Sequence, residues 1–345
     1  YAICEDAGIR TYSAGMYISE QTLYSTHTND CLVSVVVANT SPPPHSSITS
    51  VQFVEKTISG PNQWTYDYTG ILSVVAHARV AKAGGHPSVA PLLGLCVDHR
   101  TQELNLLFHY YPTSLAEFSM TAQPDAIDAA TASLLRGVGW LHTHGIAHRD
   151  IKNDNMMFDN NGRLVIIDLG MVALTVSDSH SRRFTGVFES EEGCPISRAR
   201  YNPIVLGRTV PICTCSTRPP EIYMLEQNYN KLIDVFQRTK TFMTTGTMFC
   251  GVYVNTAMPP LPYYDAFKVD AWSCACVIAA MANGGERIFK GDNDAGVLRS
   301  ITAYTGLDKG ARVRLTQRCW NTMLSMLVMD PGSRANVRQV VKEKF

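Results

Sequence analysis

The chain has 345 residues, 45% of them hydrophobic and 17% charged, enough for one large two-lobed domain or two ordinary ones, which excludes a disordered or fibrous chain. Lys plus Arg equals Asp plus Glu at 30 each, so no global charge draws it to nucleic acid or acidic membranes, and any anionic ligand must be held locally. The longest apolar stretch, Ala271 to Ala282, is interrupted by Ser273 and falls short of the roughly twenty residues a bilayer span needs, so a buried core helix is expected there.

Up to about Tyr111, short β-type runs (Cys31 to Val37, Val51 to Val54, Leu104 to Phe108) alternate with breaker clusters such as Ser41-Pro42-Pro43-Pro44. This is the pattern of a small, mostly antiparallel sheet. One helix, Ile71 to Ala83, interrupts it and is stopped by Gly84-Gly85-His86-Pro87. Beyond Pro112 the pattern turns helical. Ala126 to His142 is strongly periodic, and two short strands, around Met156 to Phe158 and Leu164 to Ile167, flank the turn Asn160-Asn161-Gly162. From Met171 to Tyr264 there is little periodicity, the mark of a long functional segment, before the last eighty residues return to helix.

The ten cysteines are scattered, with only Cys213/Cys215 and Cys274/Cys276 close together. They are expected to be reduced thiols of an intracellular protein. Cys213 and Cys215 lack a second pair at ligand spacing, so a structural zinc is not expected.

Two polar clusters carry chemistry: His148-Arg149-Asp150-Ile151-Lys152-Asn153-Asp154-Asn155 and Asp168-Leu169-Gly170. Phosphoryl transfer from a nucleotide requires cation-held phosphates, a residue orienting the attacking hydroxyl, and charge neutralisation. Asp150 can accept a hydrogen bond from a substrate hydroxyl, Lys152 can neutralise the transferring group, and Asn155 and Asp168 supply oxygens suited to magnesium.

These motifs resemble the eukaryotic protein kinases. The catalytic-loop pattern H-R-D-x-K-x-x-N is unbroken, and the metal-loop D-x-G follows thirteen positions after Asn155. Leu169 stands where Phe is usual, and Asn153 where Pro is common. The segment Thr214-Cys215-Ser216-Thr217-Arg218-Pro219-Pro220-Glu221 is similar to the substrate loop of the cyclin-dependent and mitogen-activated branch. That resemblance implies Thr214 bonded to Asp150 and Lys152, as in serine/threonine kinases, Glu221 paired with Arg334, and Asp270 bracing the catalytic loop. It also implies an α+β, two-lobed kinase fold: a small antiparallel N-lobe sheet with one main helix over residues 1–111, and a larger, mostly helical C-lobe over 112–345. The C-lobe would hold the catalytic loop 148–155, the metal loop 168–170, an extended activation segment 168–221 and an insertion of about 225–262. ATP and Mg2+ are the implied cofactors.

The strand and hinge meeting adenine would be Leu104 to Tyr111, with Phe108 as gatekeeper, His109 and Tyr111 offering backbone bonds, and Met157 completing the nucleotide site. The best candidate for the Gly-rich loop is Ser13-Ala14-Gly15-Met16-Tyr17-Ile18, whose Gly15 would let backbone approach phosphate. In Phe53-Val54-Glu55-Lys56, alternation puts Val54 against adenine and Lys56 toward phosphate. Lys56 lies 41 residues after Gly15, implying an insertion of about 26–48. The helix glutamate that should pair with Lys56 is missing: the only acid between Lys56 and His86 is Asp67, and His77 occupies roughly the expected position. Arg149 is the family's usual phosphate receiver, with Ser181, Thr185 and Ser190 as candidate phosphosites and Glu189, Glu191 and Glu192 as fixed charges.

The resulting expectation is an intracellular ATP- and Mg2+-dependent serine/threonine kinase acting on protein substrates. An activating or docking partner would bind through the inserts, and neither nucleic acid nor membrane is a partner. A pseudokinase serving as a nucleotide-binding or scaffolding module is the alternative, and a small-molecule phosphotransferase of similar fold is a third class.

Overall fold

The computed structural model describes residues 2–25, 31–39, 52–59, 68–101, 103–174, 213–223, 246–249, 252–255 and 264–345. The chain forms two compact units, one of Tyr1–Ser114 with Met157–Val172, the other of Leu115–Met156 with Ala173–Phe345. The division expected after residue 111 therefore falls at Ser114, and the metal loop belongs to the first unit.

The first unit is built on strands β1 (Arg10–Thr11), β2 (Tyr17–Ser25), β3 (Cys31–Ala38), β4 (Gln52–Ser59), β5 (Gly94–Asp98) and β6 (Glu103–His109), in the order β1-β5-β6-β4-β3-β2. All pairings are antiparallel except β1 with β5. Valines 33, 35, 36 and 37 give β3 its strand preference. The expected 26–48 insertion is corrected here, because 31–38 is an integral strand between β2 and β4. Residues 26–30 and 40–51 lie outside the described residues.

Two helices, α1 (Ala2–Asp6) and α2 (Tyr68–Lys82), complete this unit's main layer. Ala78 of α2 and Cys4 of α1 join Ile58, Leu95, Leu104 and Leu106 of the sheet in one buried cluster. Three further short strands, β7 (Thr113–Ser114), β8 (Met156–Phe158) and β9 (Leu164–Ile166), form a small sheet in the order β9-β8-β7. Gly162, at φ +71°, makes the turn between β8 and β9, and Asp159 Oδ1 accepts the amides of Asn161 and Arg163.

The second unit contains α3 (Leu115–Thr121), α4 (Pro124–Thr143), α5 (Ala266–Ala282), α6 (Asp294–Thr302), α7 (Lys309–Val313), α8 (Gln317–Met326) and α9 (Val337–Lys344). Helix α4 starts on a proline and buries Ile127, Leu134, Val138 and Leu141 along one stripe, the spacing of an amphipathic helix. Helix α5 is apolar all round and buried almost throughout, with Asp265 capping the amides of Phe267 and Lys268. Within the expected 225–262 insertion, the described part is an antiparallel ladder of Gly246–Phe249 with Val252–Asn255. No helix among the described residues is long and apolar enough to cross a membrane.

Candidate functional site

In the first unit, the β4–β6 register places Val54 opposite Phe108 and Lys56 opposite Leu106. Directly opposed residues share a face, so Val54, Lys56 and Phe108 lie on one side of the sheet. The same side carries the ring of His77, 5.2 Å from that of Phe108. His77 is buried within α2, which has no acid anywhere along its length. The ammonium of Lys56 instead meets the metal-loop carboxylate, with Nζ 2.8 Å from Asp168 Oδ1. Asp168 sits at φ +61°, and its Oδ1 also accepts the amide of Gly170 at 3.1 Å. Asp67, the alternative acid, lies outside the described residues.

Glu55, on the opposite face of β4, accepts a 2.7 Å bond from the Tyr12 hydroxyl. Burial pushes the Glu55 carboxyl above its ordinary range, against the lowering effect of the Tyr12 bond. His109 is the exposed end of β6, Tyr111 is half-buried with its phenol pushed up to about 12 by burial, and Met157 pairs with Ser114.

Gly15 stands just ahead of β2. It holds φ +81° in a turn closed by the Met16 amide on the Ser13 carbonyl, and Asn39 bonds its carbonyl at 3.0 Å. That turn precedes β2, at the strand end where Tyr17 pairs with Ala38 and Val37 with Gln52. Gln52 is four positions along β4 from Lys56, about 13 Å at strand rise. The β2–β3 connection, residues 26–30, leaves from the other end, where Cys31 pairs with Ile58.

In the second unit, the catalytic loop hangs from Asp270 of α5. This carboxylate is completely buried and accepts the amides of His148 at 2.8 Å and Arg149 at 2.7 Å, with His142 Nε2 also at 2.8 Å. Arg149 is held at φ +62°, and its guanidinium donates to the Tyr264 hydroxyl at 3.0 Å. Together with Asp168 and Cys213 it completes the set of non-glycine residues with positive φ among the described residues. Each such residue costs of order 1–3 kcal/mol, and such strain clusters at functional positions.

Asp150 is the hub of this half. Its Oδ1 accepts Thr214 Oγ1 at 2.9 Å and the Thr214 amide at 3.2 Å, while its Oδ2 lies 2.8 Å from Lys152 Nζ. The expected direct bond between Thr214 and Lys152 is replaced by this shared carboxylate. Asn155 Nδ2 donates to the Asp150 carbonyl at 2.8 Å and to Oδ2 at 3.1 Å, which orients the amide so that its oxygen is the atom suited to a cation. A cavity of about 620 Å³ opens beside Thr214, lined also by Cys215, Ser216, Gly285, Phe289 and Val297.

The loop carrying Thr214 is fixed by two buried arginines. Arg218 donates to the Cys213 carbonyl at 3.0 and 3.3 Å and reaches Asp294 at 3.3 Å. Arg334 forms a two-pronged bond to Glu221, at 2.7 and 3.0 Å, as the motif implied. Burial drives the Cys213 thiol well above its ordinary range, which suits packing rather than reactivity. The roles of Asp294 and Tyr264 had no separate sequence signal, because their partners Arg218 and Arg149 lie 76 and 115 residues away. Ser181, Thr185, Ser190, Glu189, Glu191 and Glu192 lie outside the described residues, and no cluster among the described residues could hold a metal through His, Cys, Asp and Glu alone.

A family model described as "Protein kinase domain" matches residues 54–244, more than half of the chain. The chain belongs to the protein kinase family. This kinase is similar, at low identity, to cyclin-dependent kinase 11B of Mus musculus (22% over 268 residues, 75% of this chain and 29% of the relative). It is also similar to MAP kinase kinase kinase win1 of Schizosaccharomyces pombe (24% over 269 residues, 75% and 16%). A probable CTD kinase subunit alpha homolog of Encephalitozoon cuniculi matches at 22% over 278 residues, 79% of this chain and 72% of the relative. The kinase thus spans well under half the length of the relatives first named. It is a divergent, eukaryotic-type member with the expected α+β fold.

Proposed function

We propose that this kinase transfers the γ-phosphate of ATP to Ser or Thr hydroxyls of protein substrates, with Mg2+. The observation that carries the reading is the Asp150 carboxylate, held at once by Thr214 Oγ1 at 2.9 Å and Lys152 at 2.8 Å. An acceptor hydroxyl donating to Asp150 would be oriented for attack, its proton passing to that carboxylate as its oxygen bonds phosphorus and the bond to the leaving diphosphate breaks. Lys152 would offset charge on the transferring group.

The donor chemistry fits a magnesium–nucleotide complex: Asp168 in the first unit supplies a carboxylate, and Asn155 in the second an oriented amide oxygen. ATP, when bound, supplies the phosphoryl group. Val54, Phe108 and the backbone at His109 and Tyr111 would receive adenine, with Met157 beside it, and Lys56 would take the phosphates. The cavity beside Thr214 would accept the peptide that carries the acceptor. The Mus musculus relative is cyclin-dependent by name; an activating partner for this chain, docking through its inserts, is part of the proposal.

A second reading, a pseudokinase retained as a nucleotide-binding scaffold, is favoured by one observation: Lys56 is engaged by Asp168 and α2 offers no acid. Transfer of labelled phosphate from ATP to a generic protein substrate separates the two. Asp150→Ala and Lys56→Met should lose the wild-type signal. Equal background in all three proteins would sink the enzyme reading.

A further inference from the structure

The ion pair between Lys56 and Asp168 joins the two groups that the kinase reading assigns to different ligands, phosphate and metal. Both are accessible, with side-chain exposures of 20% and 36%. The oxygen that meets the ammonium, Oδ1, also accepts the Gly170 amide at 3.1 Å, which orients the carboxylate toward the lysine. Helix α2 carries no acid, and its His77 packs on Phe108, on the same face of the sheet as Lys56.

We propose that Lys56 and a divalent cation compete for Asp168, so that the lysine closes the metal-binding carboxylate until nucleotide phosphates draw the ammonium away. The proposal rests on the assignment of Asp168 to metal and Lys56 to phosphate. An ammonium 2.8 Å from Oδ1 repels a dication approaching the same oxygens and must be displaced by it. Phosphate offers that ammonium another anion, so nucleotide and metal reinforce each other through Lys56 in addition to their direct contact. By linkage the reinforcement is reciprocal. A neutral residue at position 56 cuts this coupling and leaves the carboxylate open to cations in the absence of nucleotide.

The test is Mn2+ titration of the nucleotide-free full chain, read by calorimetry or by the electron spin resonance of free Mn2+. Folding of each variant is checked by its thermal unfolding. Lys56→Met and Lys56→Gln should bind Mn2+ roughly two- to fivefold more tightly than wild type, the scale of one partly exposed ion pair. Lys56→Arg, which keeps the charge, should match wild type, and Asp168→Asn should abolish the site in every background. Unchanged or weaker Mn2+ binding in both neutral variants, or binding insensitive to Asp168→Asn, would overturn the proposal. The phosphate-transfer assay fails independently: a chain that moves no phosphate yet shows this Mn2+ pattern loses the kinase activity and keeps the competition.

Discussion

Asp270 shows how much a single buried acceptor can organise. It takes the consecutive backbone amides of His148 and Arg149 and faces His142 on a third side, which lets Arg149 sit at φ +62° beside Asp150. Asp270→Ala would leave two buried donors without an acceptor, costing on the order of 3 kcal/mol. Urea unfolding should show a lower midpoint with an unchanged slope. Glu55 makes a different prediction. Burial raises its carboxyl from an ordinary value near 4.5, so the folded chain holds a proton that the unfolded chain releases. Stability therefore falls as pH rises from about 4.5 through the raised folded value. Glu55→Gln should flatten the slope of the thermal midpoint against pH across that window, and an unchanged slope would show that Glu55 does not cause it. At this scale the sequence was informative where the chemistry is local: Asp150, Lys152 and Asn155 lie within six residues of one another, and Thr214 is fixed relative to Glu221 by the motif. Tyr264 and Asp294 were not legible, because a partner 115 or 76 residues away leaves no local trace.

Elements were legible in proportion to how completely they are buried. Helices α4 and α5 and strands β3 and β6 announce themselves through periodic or continuous apolar runs. Strand β2 does not: it is an edge strand, exposed along nearly its whole length, so no apolar alternation marks it. The β2–β3 connection, Thr26 to Asp30, contains no glycine, so no glycine turn signal marked the end of that strand either. Helix α5 carries its own prediction. Its small residues, among them Ala271, Ala275 and Ala279, are fully buried, so the space around them is already filled at interior packing density. Ala275→Leu should destabilise the chain by about 1–3 kcal/mol through overpacking, measured as a lowered thermal midpoint. A neutral result would mean that the helix has room on that face.

At the scale of the whole molecule, each unit has its own core, and long-range polar ties do what local sequence cannot. In the second unit, Arg334 is 1% exposed and joins Glu221, 113 residues earlier, to the carbonyls of Val328 and Lys268 while lying over the Trp272 ring. The pair was expected from the motif; the carbonyls and the ring were not, since they are supplied by the fold around it. A guanidinium meets all these acceptors through its planar fork, and an ammonium cannot. Arg334→Lys should therefore cost several kcal/mol, in the range of about 3–5 expected when a buried ion pair loses its geometry. Three of the four tryptophans, Trp140, Trp272 and Trp320, belong to the second unit, so tryptophan fluorescence during urea unfolding reports chiefly on it. The fluorescence midpoint should fall in Arg334→Lys, while the circular dichroism of the first unit's sheet should persist beyond that transition. Simultaneous loss of both signals would mean that the two units unfold as one cooperative body and that the Arg334 tie supports the entire chain.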